Sequence, residues 1–332
     1  MCSCLNEWEM SQATLTPAIL HRQRLVRRLH PTGATCRRAS RRPSQRRSRR
    51  RVAPGRHRRG RVRSPRDQIG TPAAWEDDFT GYVVDYGSYP DQQRAHFSLR
   101  DARHTLENAS EGTGLEGSIY AGLEALTSDL LGREWQRDDG AAMKIGRCLI
   151  DANWGHSTNV VYQFCRQSPH ASILLPSHGR FVGASSNPFS EYKRRPGDRV
   201  GLNWRVPSIN GKRAIRHVIY DTNWWKSFTH ARLAVSMGDR GCLSVFGDRP
   251  DMHRMFAEQV TAEYYIKTEG RGRTVDEWKA RPEQPDNHWL DCLVGCAVAA
   301  AMQGALLFGT DNQATNRRDR VSFKDLQRKK RS

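Results

Sequence analysis

Apolar and polar residues alternate along this chain in two periods, and the longest periodic stretch is Arg281–Leu306, RPEQPDNHWLDCLVGCAVAAAMQGAL. Turn-forming Pro282, Pro285, Asp286 and Asn287 precede Leu290, Leu293, Val294, Ala297, Val298 and Ala301 at helical spacing, which is the pattern of a helix start. Small residues fill much of the remaining circumference, so the segment predicts a core helix that is apolar nearly all round. It falls short of the roughly 18 uninterrupted apolar residues of a membrane span. Upstream, Gly117–Leu131 has Ile119, Leu123, Leu126 and Leu130 on one face and stops at Gly132, predicting an amphipathic helix. Met143–Ile150 reads as a strand running into Asp151, followed by a polar turn and a helix over Val160–Cys165.

The alternation continues with strands at Gly81–Gly87, Ser172–Pro176 and Cys242–Phe246, and helices at Asn223–Val235 and Met252–Val260. Val200–Val206 and Arg213–Tyr220 read as an antiparallel pair, because Asn210-Gly211 between them is a hairpin signal. Tyr264–Lys267 and Thr274–Trp278 flank the Gly-rich turn Glu269–Arg273. Strands alternating with helices, with one antiparallel insertion, predict an α/β domain with a mixed sheet flanked by helices. Order is expected to begin near Trp75.

Charge changes the picture at both ends. The formal net charge is +19, a balance associated with nucleic acid, but it is unevenly placed. His21–Arg66 holds many Arg, no Lys and no acid, Arg317–Arg331 is a second basic run, and the part between is slightly acidic. Residues 1–72 therefore read as a disordered basic arm, 73–310 as the folded domain and 311–332 as a basic tail. The arm suits a polycationic nucleic-acid tether; its Arg-only composition is equally that of a solvated tail or of a GC-rich gene read out of frame. The cysteines include no CxxC pair, so they read as free thiols in a reducing compartment. Neither a secretory signal nor a membrane span is evident.

Two acids sit where chemistry is kept. Asp151 follows a strand at the rim of an α/β sheet, and Asp291 lies in the first turn of the core helix, where a carboxylate drawn inward needs a cation or hydrogen bonds. Such a pair is the minimum for a hard cation, Mg²⁺ or Mn²⁺, that activates water for phosphodiester cleavage. His288 is either a base beside that pair or a turn histidine near a helix cap, and Asp286 is equally an Asx-turn residue. Arg271 and Arg273 in the Gly-rich turn attract phosphate, and Trp224-Trp225-Lys226 offers aromatic and cationic groups to nucleic acid, or simply core. The sequence has no G-x-x-x-x-G-K-[ST], hence no P-loop ATP site.

Four stretches, LIDANWGHSTNVVYQFCR, YDTNWWKSFTHARL, FAEQVTAEYY with GRGRTVDEW, and DNHWLDCLVGCAVAAA, together resemble the C-terminal nuclease half of the lambda-type phage terminase large subunit, the GpA family, over roughly Trp75–Gly309. The resemblance implies a ribonuclease H-like fold holding divalent metals, and an endonuclease that cuts concatemeric double-stranded DNA for packaging in the host cytoplasm. A small terminase subunit and the procapsid portal are its implied partners, with no membrane role. On this reading Asp151 is the middle acid, Asp291 the final one, His288 the neighbouring position, and Lys226 a phosphate contact. The family's first acid sits on an opening strand; here that place falls in the Arg-rich arm, so the first strand and the ATPase half are expected to be missing. The competing class is a non-enzymatic DNA-binding protein acting through its basic tails.

Overall fold

A computed structural model of the chain describes residues 14–20 (backbone), 68–98, 101–136, 140–153, 158–209, 215–247, 249–283 and 286–307. In chain order the first strands are β1 (Thr14–Leu20), β2 (Gln68–Gly70), β3 (Ala73–Trp75), β4 (Gly81–Val83) and β5 (Gly87–Tyr89). Helices α1 (Leu106–Ala109) and α2 (Gly114–Gly132) follow, then a small ribbon of β6 (Trp135–Gln136) and β7 (Ala142–Met143). Next come β8 (Arg147–Asp151), α3 (Thr158–Gln167), β9 (Leu174–Arg180), β10 (Arg199–Gly201), β11 (Trp204–Val206) and β12 (Val218–Asp221). The chain closes with α4 (Thr222–Leu233), β13 (Leu243–Val245), α5 (Arg254–Val260), the hairpin β14 (Glu263–Gly270) and β15 (Arg273–Ala280), and α6 (His288–Gln303).

One mixed sheet runs β10-β11-β12-β9-β8-β1-β3-β4-β13. Strands β8, β9 and β12 are parallel neighbours, so their C-terminal ends form one rim. The alternation along β8 decides which layer each residue serves. Cys148 and Ile150 pack with Ile119, Leu123, Val161 and Phe164 of α2 and α3. Leu149 joins the opposite layer, with Trp225, Phe228, Phe256, Leu290 and Leu293 of α4, α5 and α6. Asp151, two residues beyond Leu149, therefore belongs to the layer of α6. That helix is buried nearly all round as its pattern demands, and it ends at Gly304, whose φ of 114° suits a residue without Cβ. Its small residues let it lie close to the strands: the Cys296 thiol donates to the Thr71 carbonyl at 3.1 Å. Cys148, Cys165, Cys242, Cys292 and Cys296 are buried free thiols.

The structure departs from the sequence reading at the N-terminal side. No strand was expected before Trp75, yet β1 lies between β8 and β3, and β2 and β3 start the continuous part of the sheet. The segment TLTPAIL carries Pro17, which cannot donate to a ladder, and proline argues against a central strand. The remainder of the Arg-rich arm and the tail after 307 lie outside the described residues. Two expected strands are also subdivided. Gly81–Gly87 gives way to β4 and β5, and Val200–Val206 folds on itself as β10 and β11 around Asn203, φ 49°. β11 then pairs antiparallel with β12, as the insertion predicts, while the Asn210-Gly211 turn lies outside the described residues.

Candidate active site

Asp151 ends β8, beside Ser177 of β9, and accepts a hydrogen bond from the Asn153 backbone N–H at 3.2 Å. Burial, with the Asp291 charge adding to it, pushes its carboxyl up to about 7 against the opposing backbone hydrogen bonds. The two acids, 140 positions apart in the sequence, are thus electrostatic neighbours. Tyr220 of β12 lies between these influences: burial first, then Asp151 and Asp291, raise its phenol well above the ordinary range.

Asp291 comes from the first turn of α6. Its Oδ1 stands 3.1 Å from Nζ of Lys226, and the same ammonium is 2.5 Å from Oε1 of Glu263. Asn287, the helix N-cap residue, makes no side-chain cap bond; its amide donates to Glu263 instead. Lys226 and Glu263 are nearly enclosed, with side chains 10% and 6% exposed, whereas Asp291 is 39% exposed. Burial alone would lower the pKa of Lys226, but the Asp291 and Glu263 charges outweigh it and leave it raised. Burial likewise raises Asp291, opposed by Lys226 and reinforced by Glu263; the water reaching its carboxylate tempers that shift. Lys226 is carried by α4, whose N-cap is Asp221, accepting from the Trp224 N–H at 3.2 Å. Burial raises Asp221 to about 6 despite these backbone bonds.

The other sequence candidates take distinct positions. His288 is buried at the start of α6, where desolvation lowers its pKa to about 4 and keeps it neutral near pH 7; Nε2 is 3.9 Å from Asp286. Arg271 and Gly272 form the two-residue turn of the β14–β15 hairpin, both with positive φ (52° and 71°), the geometry of a tight hairpin turn. Arg271 donates to Asn187, and Arg273 donates to the carbonyls of Gly183 (3.0 Å), Ala184 (3.2 Å) and Ser186 (2.5 Å). Lys226 is sealed between carboxylates, so its first partners are Glu263 and Asp291. Glu263 and Asn287 escaped the sequence reading as site residues. Glu263 opens a strand reading E-Y-Y-I-K, where nothing distinguishes it from a solvated acid.

Residues 73–309 match the family described as the terminase large subunit gpA, endonuclease domain. The chain belongs to that family. Neither a curated protein nor a solved structure gives a significant match. The family carries a phage terminase nuclease role in DNA packaging and suggests dependence on a divalent metal. No described helix is long and apolar enough to cross a membrane.

Among the described residues, no group of three or more His, Cys, Asp or Glu side chains comes together to hold a metal. Asp151 and Asp291 are electrostatic neighbours, and Mg²⁺ is commonly held by one or two carboxylates with water and substrate phosphate completing its shell. Carboxylates raised by burial, with a neighbouring acid adding to it (Asp291 for Asp151, Glu263 for Asp291), are also what a dication relieves. The pair fits one such ion in part, since one oxygen of Asp291 is already engaged by Lys226. Strand β1 adds no further acid: its sequence is TLTPAIL, and Leu15 is level with Ile150, which puts Thr14 next to Asp151 along the register.

Proposed function

We propose that this chain is the DNA-cleaving part of a phage packaging machine, acting on concatemeric double-stranded viral DNA in the bacterial cytoplasm. The observation that carries this reading is the convergence of Asp151 and Asp291 at the C-terminal rim of the sheet, with the Asp151 carboxyl pushed to about 7. Perturbed acids at such a rim are the usual mark of a site. Asp151 and Asp291 would hold Mg²⁺ or Mn²⁺, which when bound supplies an activated water and neutralises phosphate charge. Lys226 keeps Asp291 oriented and ionised, and Asn287 holds Glu263 so that Lys226 stays in place. The nuclease unit spans 73–310, completed by β1, and the basic segments on either side add sequence-independent attraction for DNA. The small terminase subunit and the portal are its proposed partners.

The test is cleavage of plasmid DNA by the full chain with Mg²⁺, with Mn²⁺ and with EDTA. Metal-dependent cutting should drop roughly 100-fold in Asp151→Ala and in Asp291→Ala. Cutting that persists in EDTA, or that neither substitution changes, refutes the assignment. DNA binding without cutting, falling steeply with salt and indifferent to metal, would point to a non-enzymatic protein acting through its basic tails.

A further inference from the structure

Beyond the acid pair, the C-terminal rim carries a cleft of about 470 Å³ lined by Arg180, Phe181, Phe189, Tyr192, Lys193 and Arg205 among others. That volume is in the range of small-ligand sites. Its chemistry is cationic and aromatic together. Arg180 and Lys193 are exposed. Neither forms an ion pair with an acid among the described residues. Arg205 lies over the Tyr192 ring at 3.8 Å and over the Phe189 ring at 5.4 Å, and its buried Nε has no hydrogen-bond partner among the described residues. Phe181 is 55% exposed, an uncovered aromatic ring beside Arg180. The acid of the lining, Glu191, is countered by Arg271 at 4.0 Å.

The walls are built rather than loose. Arg273 gathers the carbonyls of Gly183, Ala184 and Ser186, Arg271 holds Asn187, and Glu277 accepts from the Ala184 N–H at 3.1 Å. A Cβ on Gly183 would meet Glu277 Oε1 at 2.5 Å, so hairpin and loop fit closely there. On the other wall Asp198 accepts from the Tyr192 hydroxyl (2.8 Å) and from the backbone N–H groups of Arg195 (2.8 Å) and Ser208 (2.6 Å), fixing the turn that carries Tyr192 and Lys193. The hairpin arginines thus position this surface. Arg180 lies three residues beyond Ser177, the β9 partner of Asp151, which is about 10 Å along a strand.

We propose that this cleft takes one unpaired nucleotide of the DNA strand held at the acid pair, the base stacking on Phe181 and the phosphate meeting Arg180 and Lys193. The inference rests on the nuclease reading for its neighbour, not for its chemistry. A concave aromatic site cannot stack on bases inside a duplex, whose faces are already covered; a single-stranded or extruded nucleotide offers a free face. Arg205, already stacked on Tyr192, adds positive charge beside the same occupant.

The experiment uses the full chain in EDTA, so that no cleavage is required, with two probes: a blunt duplex and the same duplex with a short single-stranded extension carrying 2-aminopurine. Binding of the extended probe should change 2-aminopurine fluorescence. Phe181→Ala should abolish that change and weaken the extended probe by roughly fivefold to 150-fold, the worth of one stacked base. It should leave the blunt duplex unchanged, and Phe181→Trp should restore the signal. Arg180→Gln with Lys193→Gln should weaken the extended probe more than the blunt one. Equal binding of both probes by wild type, or Phe181→Ala that keeps signal and affinity, overturns the proposal. Binding is read in EDTA and cleavage separately with Mg²⁺, so failure of the nuclease reading and failure of the cleft are separately visible.

Discussion

Replacing Lys226 by Met keeps the apolar stem and removes the ammonium that joins Glu263 to Asp291. Glu263 is then an enclosed carboxylate, 6% exposed, with the Asn287 amide as its remaining polar partner. Removing one partner of a buried ion pair costs about 3–5 kcal/mol, because the other charge stays buried and uncompensated. The contact to Asp291 adds little, at most about 1 kcal/mol, since that carboxylate is 39% exposed and screened. The Asn287 bond softens the loss, which places Lys226→Met at about 3 kcal/mol. At roughly 2–4 °C per kcal/mol for a domain of this size, the melting temperature should fall by about 6–12 °C. Urea unfolding followed by circular dichroism at pH 7 reads the free energy directly. An intact buried pair is seldom itself a large net stabiliser, so Lys226→Met combined with Glu263→Gln should recover at least half of the loss. If Lys226→Met stays within about 0.5 kcal/mol of wild type, or the double variant is no better than the single one, the carboxylate is not buried as described and the reasoning fails.

Three further outcomes are expected. Asp151 is raised from 3.8 to about 7 in the fold, so the protein is favoured, relative to Asp151→Asn, fully below pH 3.8, and that advantage drains away as pH rises through 7; without metal, Asp151→Asn should be the more stable by on the order of 3 kcal/mol at pH 8, allowing for partial solvent access, and a flat difference between pH 4 and pH 8 would contradict it. Trp225 is fully enclosed among Phe79 and Phe228; Trp225→Ala should cost about 3–5 kcal/mol in chemical unfolding, and a loss under 1 kcal/mol would remove it from the core. Arg273→Ala should cost about 2 kcal/mol and speed proteolysis of the 183–187 loop, whose three carbonyls gather around Arg273 Nη2; an unchanged cleavage pattern would count against the hairpin's positioning role.

How far the sequence could be read depended on whether the signal was local. The helix of Asp291 is legible because turn residues, apolar period and small residues all agree over one stretch. Asp151 is legible as an acid closing a strand. Their meeting is visible only through the family resemblance, since periodicity says nothing about which layer a strand end shares with a remote helix. Glu263 was hidden because an acid opening an alternating strand looks solvated, and only the fold brings Lys226 over it. Arg271 and Arg273 advertised phosphate by composition, while their carbonyl and amide partners lie more than 80 residues earlier in the chain. Strand β1 was hidden by Pro17.

That strand has a consequence for how the molecule assembles. In the hydrogen-bonded order, β8 with its parallel partners lies on one side of β1, and β3, β4 and β13 lie on the other. Among the described residues the two half-sheets share no direct strand pairing, so their joint is a seam closed from far away in sequence, while α6 spans it from above. Pairing β1 with β8 joins residues about 130 positions apart, a high-contact-order event. Until it happens, β8 and β3 each present an open edge able to recruit a foreign strand. The carboxylate at the tip of β8 stands directly on that joint, so its placement depends on a pairing made from far away in sequence as well as on the strand that bears it.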